Sequence, residues 1–352
     1  MPYDPFARGP FAAGVRTTTL TRAGRSLPVE IWYPATEEHA GQDLDEATRD
    51  TFEMLPGLPA SWQDAVRDAR ERSGRHPFIA FSHGYGGHRR QSTFLCTHLA
   101  SHGYVVAAVD HSGNTVFDIL HAVMQLQAGG PRPDTDAILR EFIEARPADV
   151  SFMMDEILAS DLSAVIDANR IGMTGHSFGG WTTLVTSTRD QRIKAAVPLA
   201  PAGGESPLPA ELLRDAPHAG WSRDVPTLFV VADRDTLLPL DGMRNMLKRA
   251  PAGTQMVIMR DADHMHFCDR IEEVHEMFRL MPQDPLFQPI QAAIPPITEL
   301  CPGDHAQLAV RGLTLAHFDA HLRGSESAAR FLAGDLPGSL RGHGVEVTVA
   351  KA

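Results

Sequence analysis

Cysteine is scarce in this sequence: Cys96, Cys268 and Cys301 are the three in 352 residues. So few, so scattered, exclude a disulfide framework and a thiolate zinc site. Positive charge is also in deficit, with 32 lysines and arginines against 44 aspartates and glutamates and a formal net charge of -12. A surface that neutralises phosphates needs a basic patch, and no basic run longer than a pair or so occurs. Neither a nucleic-acid partner nor an anionic-membrane surface is therefore expected. No apolar run approaches the roughly 20 residues that cross a bilayer, so no stable membrane insertion is expected. The start, Met1-Pro2-Tyr3-Asp4-Pro5, has no positive region followed by an apolar stretch. In this numbering the expectation is a cytoplasmic protein, or a secreted one if a leader was trimmed. Internal repeats and low-complexity segments are absent as well.

What is present is enough apolar material, 43% of residues, for one large core. Strand-like and helix-like segments alternate, which predicts a mostly parallel, doubly wound α/β sheet covered on both faces. Val15 to Thr21 and Leu27 to Tyr33 read as a leading hairpin turning at Ala23-Gly24. Pro28 argues for an edge position and Pro34 for the end of the second strand. Trp62, Val66 and Ala69 suggest one amphipathic helix in an acidic stretch. Pro77 to Phe81 and Tyr104 to Val109 read as strands flanking a helix over Gln91 to His102, with Gly103 at its C-cap. Two apolar helical insertions, about 112–146 and 268–301, interrupt the rhythm of what is expected to be a single domain. The first holds Val116, Ile119, Leu120, Val123 and Met124; the second holds Met277, Phe278, Leu280, Met281, Leu286, Phe287 and Ile290. Helix Ala148 to Leu162 returns to the sheet. Strands at 193–199, 225–231 and 254–259, a closing helix at 308–322 and an edge strand at 345–349 complete the pattern.

The most specific chemistry lies in Gly175-His176-Ser177-Phe178-Gly179. A serine on a very sharp strand-to-helix turn requires small residues two positions before and after it, because neighbouring chains pass close there. Arg170 to Thr174 reads as a buried strand upstream. Trp181, Leu184 and Val185 recur at helical spacing downstream. Strand, serine elbow and helix are the context in which Ser177 becomes a candidate nucleophile.

A serine nucleophile needs a base for its proton and a carboxylate to hold that base in the right tautomer. In a doubly wound sheet these come from the C-terminal ends of later strands, in the order Ser, acid, His. The strand ending at Val231 runs into Asp233-Arg234-Asp235, and the strand ending at Met259 runs into Asp261-Ala262-Asp263-His264-Met265-His266. Asp235 is preferred as acid because a carboxylate a few residues beyond the strand reaches across the sheet, with Asp233 as the alternative turn-stabilising residue. His264 is preferred as base over His266. The same His-x-His with Asp261 and Asp263 admits a metal reading, but no further ligand set accompanies it, and neither metal nor organic cofactor is expected. The backbone amide of Phe178 is one expected oxyanion donor, and the amide of Tyr85, in Ser82-His83-Gly84-Tyr85-Gly86-Gly87, is the other.

With these residues in place the chain resembles the α/β-hydrolase superfamily. Within it, the chain is similar to the platelet-activating-factor acetylhydrolase and bacterial lipase and cutinase-like group of carboxylic ester hydrolases. Val29 to Pro34, Phe81 to Ala107 and Gly175 to Arg192 carry the resemblance, and Ala100-Ser101-His102-Gly103-Tyr104 points to this group. It implies an α/β-hydrolase fold with lid-like helical insertions, and hydrolysis of small-molecule esters of short to medium acyl chains through an acyl-enzyme. In acetylhydrolase-like members the acid follows the strand after the elbow, where this chain has Leu199-Ala200-Pro201 and Glu205 as the nearest carboxylate. Asp235 lies one strand later, as in the cutinase-like lipases, which weakens any transfer of phospholipid specificity. Dienelactone hydrolases resemble this fold but carry cysteine where Ser177 stands. Thioester, peptide and acyl-transfer chemistry use the same machinery, and a ligand-binding member without turnover is the remaining alternative.

Overall fold

The computed structural model describes residues 3–53, 60–131, 134–207, 212–215, 223–280 and 288–352. Chain order begins with β1 (Ala13–Arg22), β2 (Arg25–Pro34), β3 (Asp50–Phe52), β4 (Ser61–Gln63), β5 (Val66–Arg67) and β6 (His76–Ser82). Next come α1 (Thr93–Ser101), β7 (Val105–Val109), α2 (Val116–Gln127), α3 (Thr135–Ala159), β8 (Ile166–His176), α4 (Phe178–Arg189) and β9 (Ile193–Leu199). Then follow α5 (Leu212–Asp215), β10 (Leu228–Ala232), α6 (Leu240–Leu247), β11 (Gln255–Met259), α7 (Ile271–Leu280) and α8 (Gln288–Ala292). The chain closes with α9 (Gly303–Leu322), α10 (Glu326–Ala333), α11 (Leu336–Arg341) and β12 (Val347–Lys351).

The main sheet has ten strands in the order β12-β11-β10-β9-β8-β6-β7-β2-β1-β5. From β7 to β11 the strands run parallel, while β2 and β12 pair antiparallel at the two flanks of that block. Period-two alternation sorts side chains onto two faces. Ile79, Phe81, Val106, Ala108, Ala195, Val197 and Val230 pack on one face, with Leu95 and Leu99 of α1 and Leu313 and Phe318 of α9. Phe78, Ala80, Val105 and Ala107 point the other way, onto Val150, Met153 and Ile157 of α3. Farther along that second face, Phe229 and Val231 meet Trp181 and Leu184 of α4. This is the mostly parallel, doubly wound α/β sheet that the alternation predicts.

Several local expectations fail for identifiable reasons. β2 is interior, between β1 and β7. Pro28 lies at the very end of the β2–β7 ladder, whose register starts at Val29, and there its carbonyl still accepts the Asp110 amide at 2.8 Å, so the missing N–H costs a terminal bond only. The Trp62, Val66 and Ala69 helix is absent: those residues fall on β4, β5 and the turn after them, and Trp62 is exposed. The helix expected to begin at Ala148 begins well before it: α3 is one 25-residue helix with Pro147 inside it. Arg146, Pro147, Asp149 and Val150 are all buried there, so tertiary packing offsets the backbone bond the proline removes.

The insertions differ in how they are seated. α2 has no buried residue. Phe117, Val123, Met124 and Leu126 on it are exposed. α7 buries Ile271 and His275 and exposes Met277 and Leu280. Met281, Leu286 and Phe287 lie outside the described residues. Among the described residues, no helix is long and apolar enough to cross a membrane.

Candidate active site

β8 runs into α4 through Ser177, whose φ of 59 and ψ of -117 are a conformation that side chains other than glycine rarely adopt. The flanking glycines follow from sterics. A Cβ on Gly179 would sit 1.8 Å from the carbonyl oxygen of Ser82, and one on Gly175 would sit 2.5 Å from the same atom. The turn is closed by its own backbone: the Ser177 N–H donates to Leu199 O at 2.9 Å, and Ser177 O accepts from Trp181 N at 3.0 Å and Ala202 N at 2.9 Å. Ser177 itself is only partly buried.

Beyond β10, Asp235 divides its carboxylate between two tasks. Oδ1 accepts the amides of Leu237 at 3.0 Å and Leu238 at 2.8 Å, which fixes the side chain against its own turn. Oδ2 lies 2.7 Å from Nδ1 of His264, in the short turn after β11. Both side chains are buried. Because a carboxylate accepts, Nδ1 carries the proton and Nε2 is left as the basic atom. The His264 ring packs with its centroid 4.6 Å from that of His176, the residue before Ser177, so the base sits against the elbow. Burial pushes the His264 pKa down, but the charge and hydrogen bond of Asp235 outweigh it, and the net direction is up from 6.5.

The alternatives are engaged elsewhere. Asp233 pairs with Arg260, Oδ2 to Nη1 at 2.9 Å. His266 accepts the Asp263 amide on Nδ1 at 2.9 Å and donates from Nε2 to Cys301 O at 3.1 Å, a neutral structural histidine. Burial takes its pKa down to about 4. Glu205 meets Asn245 at 3.3 Å. Among the described residues no group of histidine, cysteine and carboxylate side chains is arranged to hold a metal ion.

Among the described residues, no acceptor is bonded to the amide of Tyr85 or of Phe178. Phe178 opens α4, where the helix dipole adds positive potential. The loop carrying Tyr85 is held from beneath by side chains. Gln91 accepts the Gly84 amide on Oε1 at 2.9 Å and donates from Nε2 to His176 Nδ1 at 2.8 Å, joining the loop to the elbow. His83 Nε2 accepts the amide of His111 at 3.1 Å, which leaves the proton on Nδ1 to donate to Gly84 O at 2.7 Å. Arg146 of α3 donates from Nη2 to His83 O at 2.8 Å and reaches Gly84 O at 3.3 Å. His111 in turn bridges Ser82 Oγ at 2.9 Å and Asp149 at 3.3 Å.

The roles of Gln91, His83, His111 and Arg146 are not evident in the elbow motif. One signal for Arg146 was available: Val150, Met153 and Ile157 form an apolar stripe on α3, and one turn back along it stands an arginine instead of an apolar residue. A charge in a buried stripe marks a group with a specific partner.

Two family models match the chain: platelet-activating factor acetylhydrolase, isoform II, over residues 54–128, and PET hydrolase-like over residues 143–274. The platelet-activating factor acetylhydrolase of Canis lupus familiaris is 28% identical over 244 residues, covering 55% of this chain and 54% of that protein. Cutinase est1 of Thermobifida alba is 30% identical over 200 residues, covering 55% and 54% respectively. The chain thus spans about half the length of these curated relatives. A ferulic acid esterase from Streptomyces cinnamoneus superposes with a TM-score of 0.60 at 24% identity, covering 92% of this chain and 93% of that one. That likeness establishes the fold over nearly the whole chain. The chain thus has an α/β-hydrolase fold, and its sequence is similar to both the platelet-activating factor acetylhydrolases and the cutinases.

Proposed function

We propose that this protein is a serine hydrolase of carboxylic esters, with Ser177 as nucleophile, His264 as base, Asp235 as its orienting acid and the Tyr85 and Phe178 amides as oxyanion donors. The observation that carries this reading is the Asp235–His264 bond of 2.7 Å, whose base leans on the strained Ser177 elbow. Ser177 Oγ attacks the ester carbonyl as its proton passes to His264 Nε2. The tetrahedral oxyanion accepts from the two amides, and His264 returns the proton to the departing alkoxide. Water then repeats the cycle on the acyl-enzyme and releases the acid.

The relatives named as cutinase, acetylhydrolase and ferulic acid esterase support an ester of a small molecule as substrate. The acid after β10 favours the cutinase-like arrangement over the phospholipid-directed one, since Glu205 is turned to Asn245. We place the acyl chain in the short to medium range, with the apolar insertions at 112–146 and 268–301 as pocket or lid walls of a single domain.

Hydrolysis of p-nitrophenyl esters from acetate to palmitate, by wild type and Ser177→Ala side by side, tests the proposal. Activity peaking at the shorter chains and vanishing in the variant is expected. Turnover that survives Ser177→Ala, or no turnover on any chain length while the serine stays inert to a fluorophosphonate probe, refutes it.

A further inference from the structure

The side chain of Arg146 is fully buried, with 0% of its surface exposed. Its hydrogen bonds run from Nη2 alone, to the carbonyls of His83 and Gly84. Nε and Nη1 have no partner among the described residues. The nitrogen of His83 at 3.2 Å is no acceptor, because that Nδ1 carries the proton it gives to Gly84 O. Its guanidinium carbon lies 4.5 Å from the centroid of the Phe178 ring. The arginine therefore touches both residues whose amides face the oxyanion. One contact is through the Gly84 carbonyl, which belongs to the same peptide unit as the Tyr85 N–H, and the other is through the Phe178 ring.

Gly84 O accepts from Gly87 N at 3.1 Å, His83 Nδ1 and Arg146 Nη2. Three donors on one carbonyl fix the plane of the Gly84–Tyr85 peptide and polarise its N–H, since hydrogen bonds in a chain strengthen one another. An arginine buried without a carboxylate bonded to it is unfavourable in the resting protein. A cation held in low dielectric gains a partner when negative charge develops on the reacting carbonyl oxygen, which is how preorganised electrostatics lowers a barrier.

From this arrangement we propose that Arg146 is a positioning residue of the oxyanion hole, aiming the Tyr85 amide and holding behind it a positive charge to which no carboxylate is bonded and which the tetrahedral intermediate's negative charge favours. The inference rests on the Ser177 reading above. It predicts a deficit in transition-state binding and little change in ground-state binding.

The test compares wild type, Arg146→Met and Arg146→Lys on p-nitrophenyl acetate, with phenylboronic acid as the intermediate's mimic. The boronate adduct forms an Oγ–B bond at Ser177 while the hydroxyl proton passes to His264, which leaves a negatively charged tetrahedral boron. Arg146→Met is expected to lower kcat about tenfold to a hundredfold with KM within about twofold, and to weaken the boronate inhibition constant by a matching factor, a part of what loss of a whole oxyanion donor costs. Arg146→Lys, which keeps a charge but not the planar fork, is expected to recover part of both losses. Should the methionine variant not fold, the lysine variant carries the test through the same matched loss of kcat and boronate affinity. A loss of kcat with unchanged boronate affinity, or a rise in KM alone, overturns the inference and leaves a packing role. Wild-type protein that neither hydrolyses the ester nor binds the boronate refutes the serine-hydrolase reading itself, whereas a variant equal to an active wild type refutes only the role of Arg146.

Discussion

Replacing Asp235 by asparagine separates the two tasks of that side chain, and the outcome can be worked from its hydrogen bonds. The carboxylate offers one oxygen to the amides of Leu237 and Leu238 and the other to His264 Nδ1–H. Asparagine has a single acceptor oxygen. Turning its NH2 toward the two backbone amides would set donor against donor twice, so the oxygen stays with the turn and the NH2 faces His264. Nδ1 must then accept, the proton moves to Nε2, and the imidazole can no longer take the proton of Ser177. The expected loss in kcat is about 10⁴-fold, the scale reached elsewhere when a triad histidine is held in the wrong tautomer. Stability should change little, since both turn bonds survive. Asp235→Ala behaves differently: it strands two amides in the interior, each costing about 1–3 kcal/mol, which is a large share of a net stability of about 5–15 kcal/mol. Steady-state hydrolysis of p-nitrophenyl acetate and thermal unfolding of both variants make the assay. An asparagine variant within tenfold of wild-type kcat, or one that melts as early as the alanine variant, would contradict this division of labour.

The acid limb of kcat/KM should fall above pH 6.5, because His264 must be neutral to act and Asp235 raises its pKa against the opposing effect of burial; a limb below that value contradicts the pairing. The matching stability term has the opposite sign: a raised folded-state pKa contributes stability below 6.5 that is lost as pH rises through the folded value. His264→Ala should lower kcat by about 10³-fold or more, whereas His266→Gln, at a ring that bonds the Asp263 amide and Cys301 O, should stay within about tenfold. Equal losses in the two would mean that the base is misassigned. Gly179→Ala would put a methyl 1.8 Å from Ser82 O. The expected result is loss of both soluble protein and activity, and an active, normally melting variant refutes the close packing described. Gln91→Leu should cost about 1–3 kcal/mol for each of the buried Gly84 and His176 groups it unpairs, read as a lower denaturant midpoint.

The elbow was legible because its constraints are local: the glycines at 175 and 179, a preceding apolar strand and a following helix lie close together in the chain. The choices of Asp235 over Asp233 and of His264 over His266 rested on loop position alone. In the structure Asp235 and His264 meet, while Asp233 turns to Arg260. The cradle beneath the oxyanion loop was not legible. Its members stand at positions 83, 91, 111, 146 and 149, and chain folding alone brings them together. The helix expected from Ala148 extends back through Pro147 for a related reason. Local propensity stops a helix there, but buried neighbours on both sides carry α3 through. Pro28 does not make β2 an edge strand because it falls at the end of the β2–β7 ladder, where a missing donor removes a terminal bond and not an interior one.

Strain at Ser177 and order around it are two sides of one arrangement. A non-glycine residue at φ 59 and ψ -117 costs on the order of 1–3 kcal/mol and persists only where its surroundings over-determine it. Here the peptide groups on both sides of Ser177 are bonded, through Leu199 O before it and the Trp181 and Ala202 amides after it. Relaxation would break those bonds in a buried setting, at about 1 kcal/mol or more each, so the strained turn is the lower-energy choice. The same closeness leaves no room for Cβ atoms at Gly175 and Gly179. It also holds the Ser82 and His83 carbonyls, which lead into the loop carrying Tyr85, against the start of α4. A substitution that relieved the strain by opening the turn should separate the Tyr85 and Phe178 amides and lower kcat even with the Asp235–His264 bond intact.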